Sequence, residues 1–135
     1  MAIEGGCLCG AVRYQISGKP VATAVCHCKN CQKQSGTAFS IVFSVKAKEL
    51  SVDGALSTFE DVGSSGAPVL RKFCGKCGSP ILSEIAALSH LRFIKAGTLD
   101  DTSWLKPQIH IWCDSAQSWV ERDPALPQFP REPTG

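Results

Sequence analysis

Apolar and polar residues alternate with a period of two over much of the chain. Across residues 11–16, Val12, Tyr14 and Ile16 share one face while Arg13 and Gln15 share the other, the pattern of a half-buried strand. Ser17-Gly18-Lys19-Pro20 reads as a turn, and residues 21–28 form a second extended stretch. The polar run 29–35 fits about two helical turns closed by Gly36. Alternation returns over 39–45 as a strand, and residues 50–54 make a short strand ending in a turn. A Gly- and Ser-rich loop over 63–68 precedes a strand at 69–73. Further strands are expected at 81–85 and 91–96, paired with each other, and at 109–112. Pro124, Pro127, Pro130 and Pro133 then mark a tail that cannot serve as a central strand. Strands dominate, and neither a repeat nor a low-complexity block is present. The expected fold is a single, mainly β domain over residues 1–123, followed by a Pro-rich tail at 124–135.

The cysteines change this picture from scaffold to site. Cys26-His27-Cys28-Lys29-Asn30-Cys31 places three cysteines within six residues. On an extended stretch Cys26 and Cys28 point to the same side, and the two-residue gap lets a turn return Cys31 to the same point. Three protein thiolates with a fourth place left open is the pattern of a catalytic zinc. A second set, Cys7-Leu8-Cys9 flanked by glycines and Cys74-Gly75-Lys76-Cys77, combines two short chelating turns into a closed, structural zinc site. Spacing also permits Cys7 and Cys9 to share an ion with Cys26 and Cys28. The split into four and three is preferred, because three sulfurs in one tight segment already crowd an ion. Cys113 either completes the central site or is a small hydrophobe in the last strand, and its neighbours Ile109, Ile111 and Trp112 favour the second reading.

His27, between two ligands, points away from the metal and either supports the ligands from behind or is simply exposed, the second being the expectation. His90 and His110 take structural roles by default. Trp104, Trp112 and Trp119 are expected in the core and pocket wall rather than as a base-stacking platform.

Composition narrows the class further. The chain has 135 residues, 44% of them hydrophobic and 19% charged, which fits one globular domain. A net charge of +2 is too small to argue for nucleic acid or an acidic membrane surface. Residues 1–6 lack the basic and apolar regions of a signal peptide, and no apolar stretch nears the roughly 20 residues that cross a bilayer. The expected setting is a reducing cytoplasm, where clustered cysteines bind metal more often than they form disulfides.

The series Gly6-Cys7-x-Cys9-Gly10-x-Val12-Arg13-Tyr14, then Cys26-His27-Cys28-x-x-Cys31 with Ser35-Gly36 and Phe39, resembles the glutathione-dependent formaldehyde-activating enzyme family, which carries the CENP-V/GFA domain. So do Phe73-Cys74-x-x-Cys77-Gly78-Ser79-Pro80, the run 96–101, His110-Ile111-Trp112 and Trp119. This resemblance implies a β-tent of antiparallel sheets, a fold shared with methionine-R-sulfoxide reductases. It implies structural zinc at Cys7, Cys9, Cys74 and Cys77 and catalytic zinc at Cys26, Cys28 and Cys31. It further implies a carbon–sulfur lyase that joins glutathione to formaldehyde, giving S-hydroxymethylglutathione. Two departures stand out: Gln32 replaces an Arg common after the third cysteine, and Cys113 replaces an apolar residue. A related enzyme acting on another thiol adduct and a non-catalytic zinc module are the alternative readings, and homo-oligomerisation is left open.

Overall fold

The computed structural model describes residues 2–133; Met1 and the last two residues of the tail lie outside the described residues. A three-stranded sheet is ordered β1 (Ile3–Gly6), β2 (Arg13–Ile16), β5 (Leu50–Asp53). The larger, seven-stranded sheet holds β3 (Ala22–Cys26), β4 (Ser40–Lys46), β6 (Ser57–Val62), β7 (Pro68–Phe73), β8 (Pro80–Ile85), β9 (Leu91–Lys95) and β10 (Ile109–Ile111). Its order is β10-β3-β4-β9-β8-β7-β6. The helix α1 (Lys29–Ser35) links β3 to β4 and ends at Gly36, whose φ of 66° is the left-handed cap that glycine adopts without strain. The mainly β, antiparallel, single-domain expectation holds. β10 is the exception, running parallel to β3 with His110 opposite Val25.

The alternating residues meet as expected. Tyr14 and Ile16 from the small sheet, with Val12 just before β2, pack with Phe43, Val45, Ile81 and Ile94 from the large one. Each is essentially inaccessible to water, so this layer lies at the heart of the apolar core whose burial drives folding. The sheets are also joined through polar groups. Tyr14 Oη lies 2.8 Å from Thr98 Oγ1, and Asp100 N–H donates to Glu4 O at 3.0 Å. Gly5 sits at this junction because an added Cβ would stand 2.4 Å from Thr98 O and 2.3 Å from Tyr14 Oη.

Two strands escape the alternation rule. β1 contains two glycines, and β6 is an edge strand with mostly exposed side chains, so neither shows one apolar face. The tryptophans also differ from expectation. Trp119 is 71% exposed and Trp104 only rests its edge on Phe43, with ring centroids 5.6 Å apart. Trp112 is half-buried, carries a positive φ of 59° and lies beneath Arg131. The Pro-rich segment lies along β10: His110 N–H donates to Pro127 O and Phe129 N–H donates to His110 O, both at 2.9 Å.

Candidate metal centres

The β1–β2 loop and the β7–β8 turn bring Cys7, Cys9, Cys74 and Cys77 together. Gly10 and Gly78 both have φ of 82°, a left-handed bend that lets each loop curl around its pair of sulfurs. Backbone N–H groups already face the sulfurs, with Val12 N–H donating to Cys7 Sγ at 3.2 Å. Cys7 Sγ is 3.6 Å from Cys9 Sγ, which is 3.8 Å from Cys74 Sγ. Sulfurs bound tetrahedrally at about 2.3 Å from one zinc stand about 3.8 Å apart, and a disulfide would require about 2.0 Å. The donor set therefore fits a four-coordinate ion.

Cys26 ends β3, Cys28 caps α1, and Cys31 lies in its first turn, where Cys31 N–H donates to Cys28 Sγ at 3.3 Å. Extended backbone at Cys28 (φ −63°, ψ 148°) turns the chain so that all three sulfurs fall within 4.8 Å of one another. Cys26 and Cys31 are buried while Cys28 is half-exposed, leaving one side of the cluster accessible. The two clusters could each hold a metal ion. Cys113 joins neither. It is half-buried in a 3₁₀ turn (Cys113–Ser115), not in a strand, and lies outside the sulfur set among the described residues.

Sequence reasoning missed the charges around the second cluster. Arg71 is 7% exposed and points Nη1 at Cys31 Sγ, 3.7 Å away, while its Nε donates to Asp61 Oδ2 at 2.8 Å. Asn30 Nδ2 donates to the same carboxylate oxygen at 3.0 Å. Burial works against the Asp61 charge, but Arg71, the Val62 N–H and Asn30 outweigh it and hold the carboxyl below its ordinary value. Lys95, 6% exposed, donates to Ser40 Oγ at 2.8 Å and Ser35 Oγ at 3.3 Å. Hydrogen bonds from Cys26 and Cys28 push the Cys31 thiol well below its usual range, with Lys95 and Arg71 adding to the effect. A clue was present in the adjacent pair Arg71-Lys72 inside a strand, since alternation obliges one of them to face inward.

Asp61→Ala is expected to lower stability by about 3 kcal/mol, the low end for breaking a buried pair, because Asp61 keeps 18% side-chain exposure. A urea titration reads it directly. A loss under about 1 kcal/mol would mean the pair is screened like a surface ion pair.

His27 corrects the expectation of an exposed ring. It is fully buried, and its Nε2 lies 2.9 Å from Nδ1 of the buried His110. Both rings line a cavity of about 410 Å³ with Val25, Phe39, Ile41 and Leu105. Burial depresses the pKa of both histidines, and the charge on Arg122 adds to it. Gln32 also faces inward. Its amide donates to His27 O at 2.6 Å and Ser115 O at 3.0 Å and accepts from Gln117 Nε2 at 2.7 Å. With three partners inside the protein, it ties α1 to the segment after β10.

The scaffold of two β sheets thus carries two thiol clusters, each of which could hold a metal ion. The family model for the glutathione-dependent formaldehyde-activating enzyme matches residues 2–115, and the chain belongs to that family. A Halomonas elongata protein named "Putative glutathione-dependent formaldehyde-activating enzyme" is 30% identical over 127 residues, covering 90% of this chain and 81% of that protein. An Aspergillus flavus protein of the same name is 31% identical over 108 residues, covering 76% of this chain, which spans 56% of the fungal protein. The fold is also that of a Rhodobacter sphaeroides protein known from a crystal structure. The two share a TM-score of 0.58 and 18% identity, over 93% of this chain and 98% of that one.

Proposed function

We propose that the protein is a zinc-dependent carbon–sulfur lyase that joins a thiol, glutathione first among them, to formaldehyde or a similar small aldehyde. The thiol gives up its proton and its sulfur forms a bond to the carbonyl carbon, the carbonyl π pair moves to oxygen, and that oxygen takes up a proton in place of the one the thiol lost, completing the S-hydroxymethyl adduct. In this reading Cys7, Cys9, Cys74 and Cys77 hold a structural zinc, and Cys26, Cys28 and Cys31 hold the catalytic one. A bound zinc lowers the pKa of a thiol and polarises a carbonyl oxygen.

The observation that carries the reading is the three-sulfur cluster, buried at Cys26 and Cys31 and open at Cys28. The protein's own groups then restrict how a substrate can approach. Arg71, fixed by Asp61, backs Cys31 from inside, so a thiol must enter from the Cys28 side. Gln32 holds α1 and hence the Cys28–Cys31 turn in place through His27 O and Ser115 O. Because Gln32 is buried and fully engaged, the loss of an Arg there does not by itself redirect the enzyme to a different thiol. The position of Cys113 outside the cluster speaks against a closed, non-catalytic site. Eight free cysteines suit a reducing cytoplasm.

The adduct also forms spontaneously, so the test is a rate. Magnetisation-exchange NMR on labelled formaldehyde with glutathione should show faster exchange with zinc-loaded protein than without it. Unchanged exchange, with two ions shown present, would refute the reading; comparing other small thiols then ranks the substrate.

A further inference from the structure

Lys95 is the buried cation that nothing so far explains. It lies at the end of β9, 6% exposed, and its ammonium reaches only the neutral hydroxyls of Ser40 and Ser35. No carboxylate pairs with it among the described residues. A buried ammonium without a counter-charge is costly, far more so than a buried pair, so a fold that keeps one needs an anion near it.

The candidates are the three thiols. Burial lowers the Lys95 pKa, while charge on Cys31, Cys26 and Cys28 works against that shift. Its two hydroxyl partners belong to the elements that carry or flank these cysteines. Ser40 is the cross-strand neighbour of Cys26, and Ser35 closes the helix that carries Cys31. Arg71 also lies near but already has Asp61 as its partner. Three thiolates around a divalent ion would leave one negative charge, and Lys95 is a buried positive charge that no carboxylate offsets among the described residues.

The four-cysteine cluster has the opposite arrangement. It would carry two negative charges on a divalent ion, yet Cys9 is exposed, so water and N–H···S bonds such as Val12 to Cys7 can screen them. The buried three-cysteine cluster has less water to call on.

We infer that Lys95 is the built-in counter-charge of the three-cysteine metal complex, a positioning residue that sets how tightly that site holds a divalent ion. This rests on the metal reading above, and the experiment separates the two. Wild type, Lys95→Met, Lys95→Gln and Lys95→Arg are loaded with zinc, and each ion is withdrawn by competition with a chelator. Wild type should release two ions in separate steps. In Lys95→Met the weaker step should move by about 10- to 100-fold, the range for partners just outside a metal's ligands, while the tighter step stays put. Lys95→Gln, which keeps hydrogen-bond donors but not charge, should behave like Lys95→Met, and Lys95→Arg should recover most of the loss. Loaded with cobalt instead, Lys95→Met should absorb its thiolate-to-metal band at longer wavelength, because a nearby cation stabilises sulfur electrons.

Wild-type affinity and an unshifted cobalt band in both Lys95→Met and Lys95→Gln overturn the inference. If Lys95→Met loses both ions it has lost its fold, and Lys95→Gln alone decides, by the loss or retention of the second step. A wild-type protein that holds only one ion overturns the metal reading, and the inference with it.

Discussion

Cys74→Ser is expected to cost the protein its fold. Cys74 is 1% exposed at the base of the β7–β8 turn, and its sulfur lies 3.8 Å from that of Cys9 in the β1–β2 loop. Apparent binding free energies of structural zinc sites run to about 10–16 kcal/mol, against about 5–15 kcal/mol for the net stability of a whole domain. Losing one thiolate leaves three ligands, one of them exposed, and a buried hydroxyl in place of a sulfur. The variant should lose near-ultraviolet circular dichroism and its cooperative melt, and a chelator should do the same to wild type. A Cys74→Ser protein melting like wild type while binding one ion fewer would show that this ion is not structural.

Cys31→Ser should behave in the opposite way, losing activity and keeping the fold. Exchange between formaldehyde and its thiol adduct should fall to the uncatalysed rate, with the four-cysteine ion retained and the melting temperature within about 5 °C of wild type. Full activity in a protein that has lost the second ion would remove Cys26, Cys28 and Cys31 from the chemistry. Together, these outcomes would assign opposite roles to the two cysteine clusters.

Much of this division was legible in the chain. Each short cysteine motif was legible because ligands two and three residues apart are local geometry. The strand faces of Val12, Tyr14 and Ile16 were readable for the same reason. Spacing alone also allowed Cys7 and Cys9 to join Cys26 and Cys28, and only the fold sets them beside Cys74 and Cys77. What stayed hidden depends on long-range neighbours. The parallel pairing of β10 with β3 follows from topology, and no residue in the Ile109–Ile111 strand announces it. Lys95 and Arg71 look like ordinary strand charges until β9 and β7 are set beside β4 and α1. His27 was read correctly as pointing away from the sulfurs. The cavity it lines is walled partly by Val25, Phe39 and Ile41 and otherwise by residues between 105 and 126, too distant in sequence for its burial to be read from position 27. Gln32 looked like a missing substrate contact until Ser115 and Gln117 appeared beside it.

The two clusters also differ in when they can form. Cys26, Cys28 and Cys31 are neighbours in sequence, so even an unfolded chain can wrap them around an ion with little loop to close. Cys7 and Cys9 find Cys74 and Cys77 only once the sheets have met. An ion that binds folded and unfolded chains alike adds little to stability, whereas one that binds the folded chain alone adds its full linkage term. On the zinc reading proposed above, a newly made chain under scarce metal would fill its three-cysteine site first and its four-cysteine site last, so the step limited by metal supply would be folding itself.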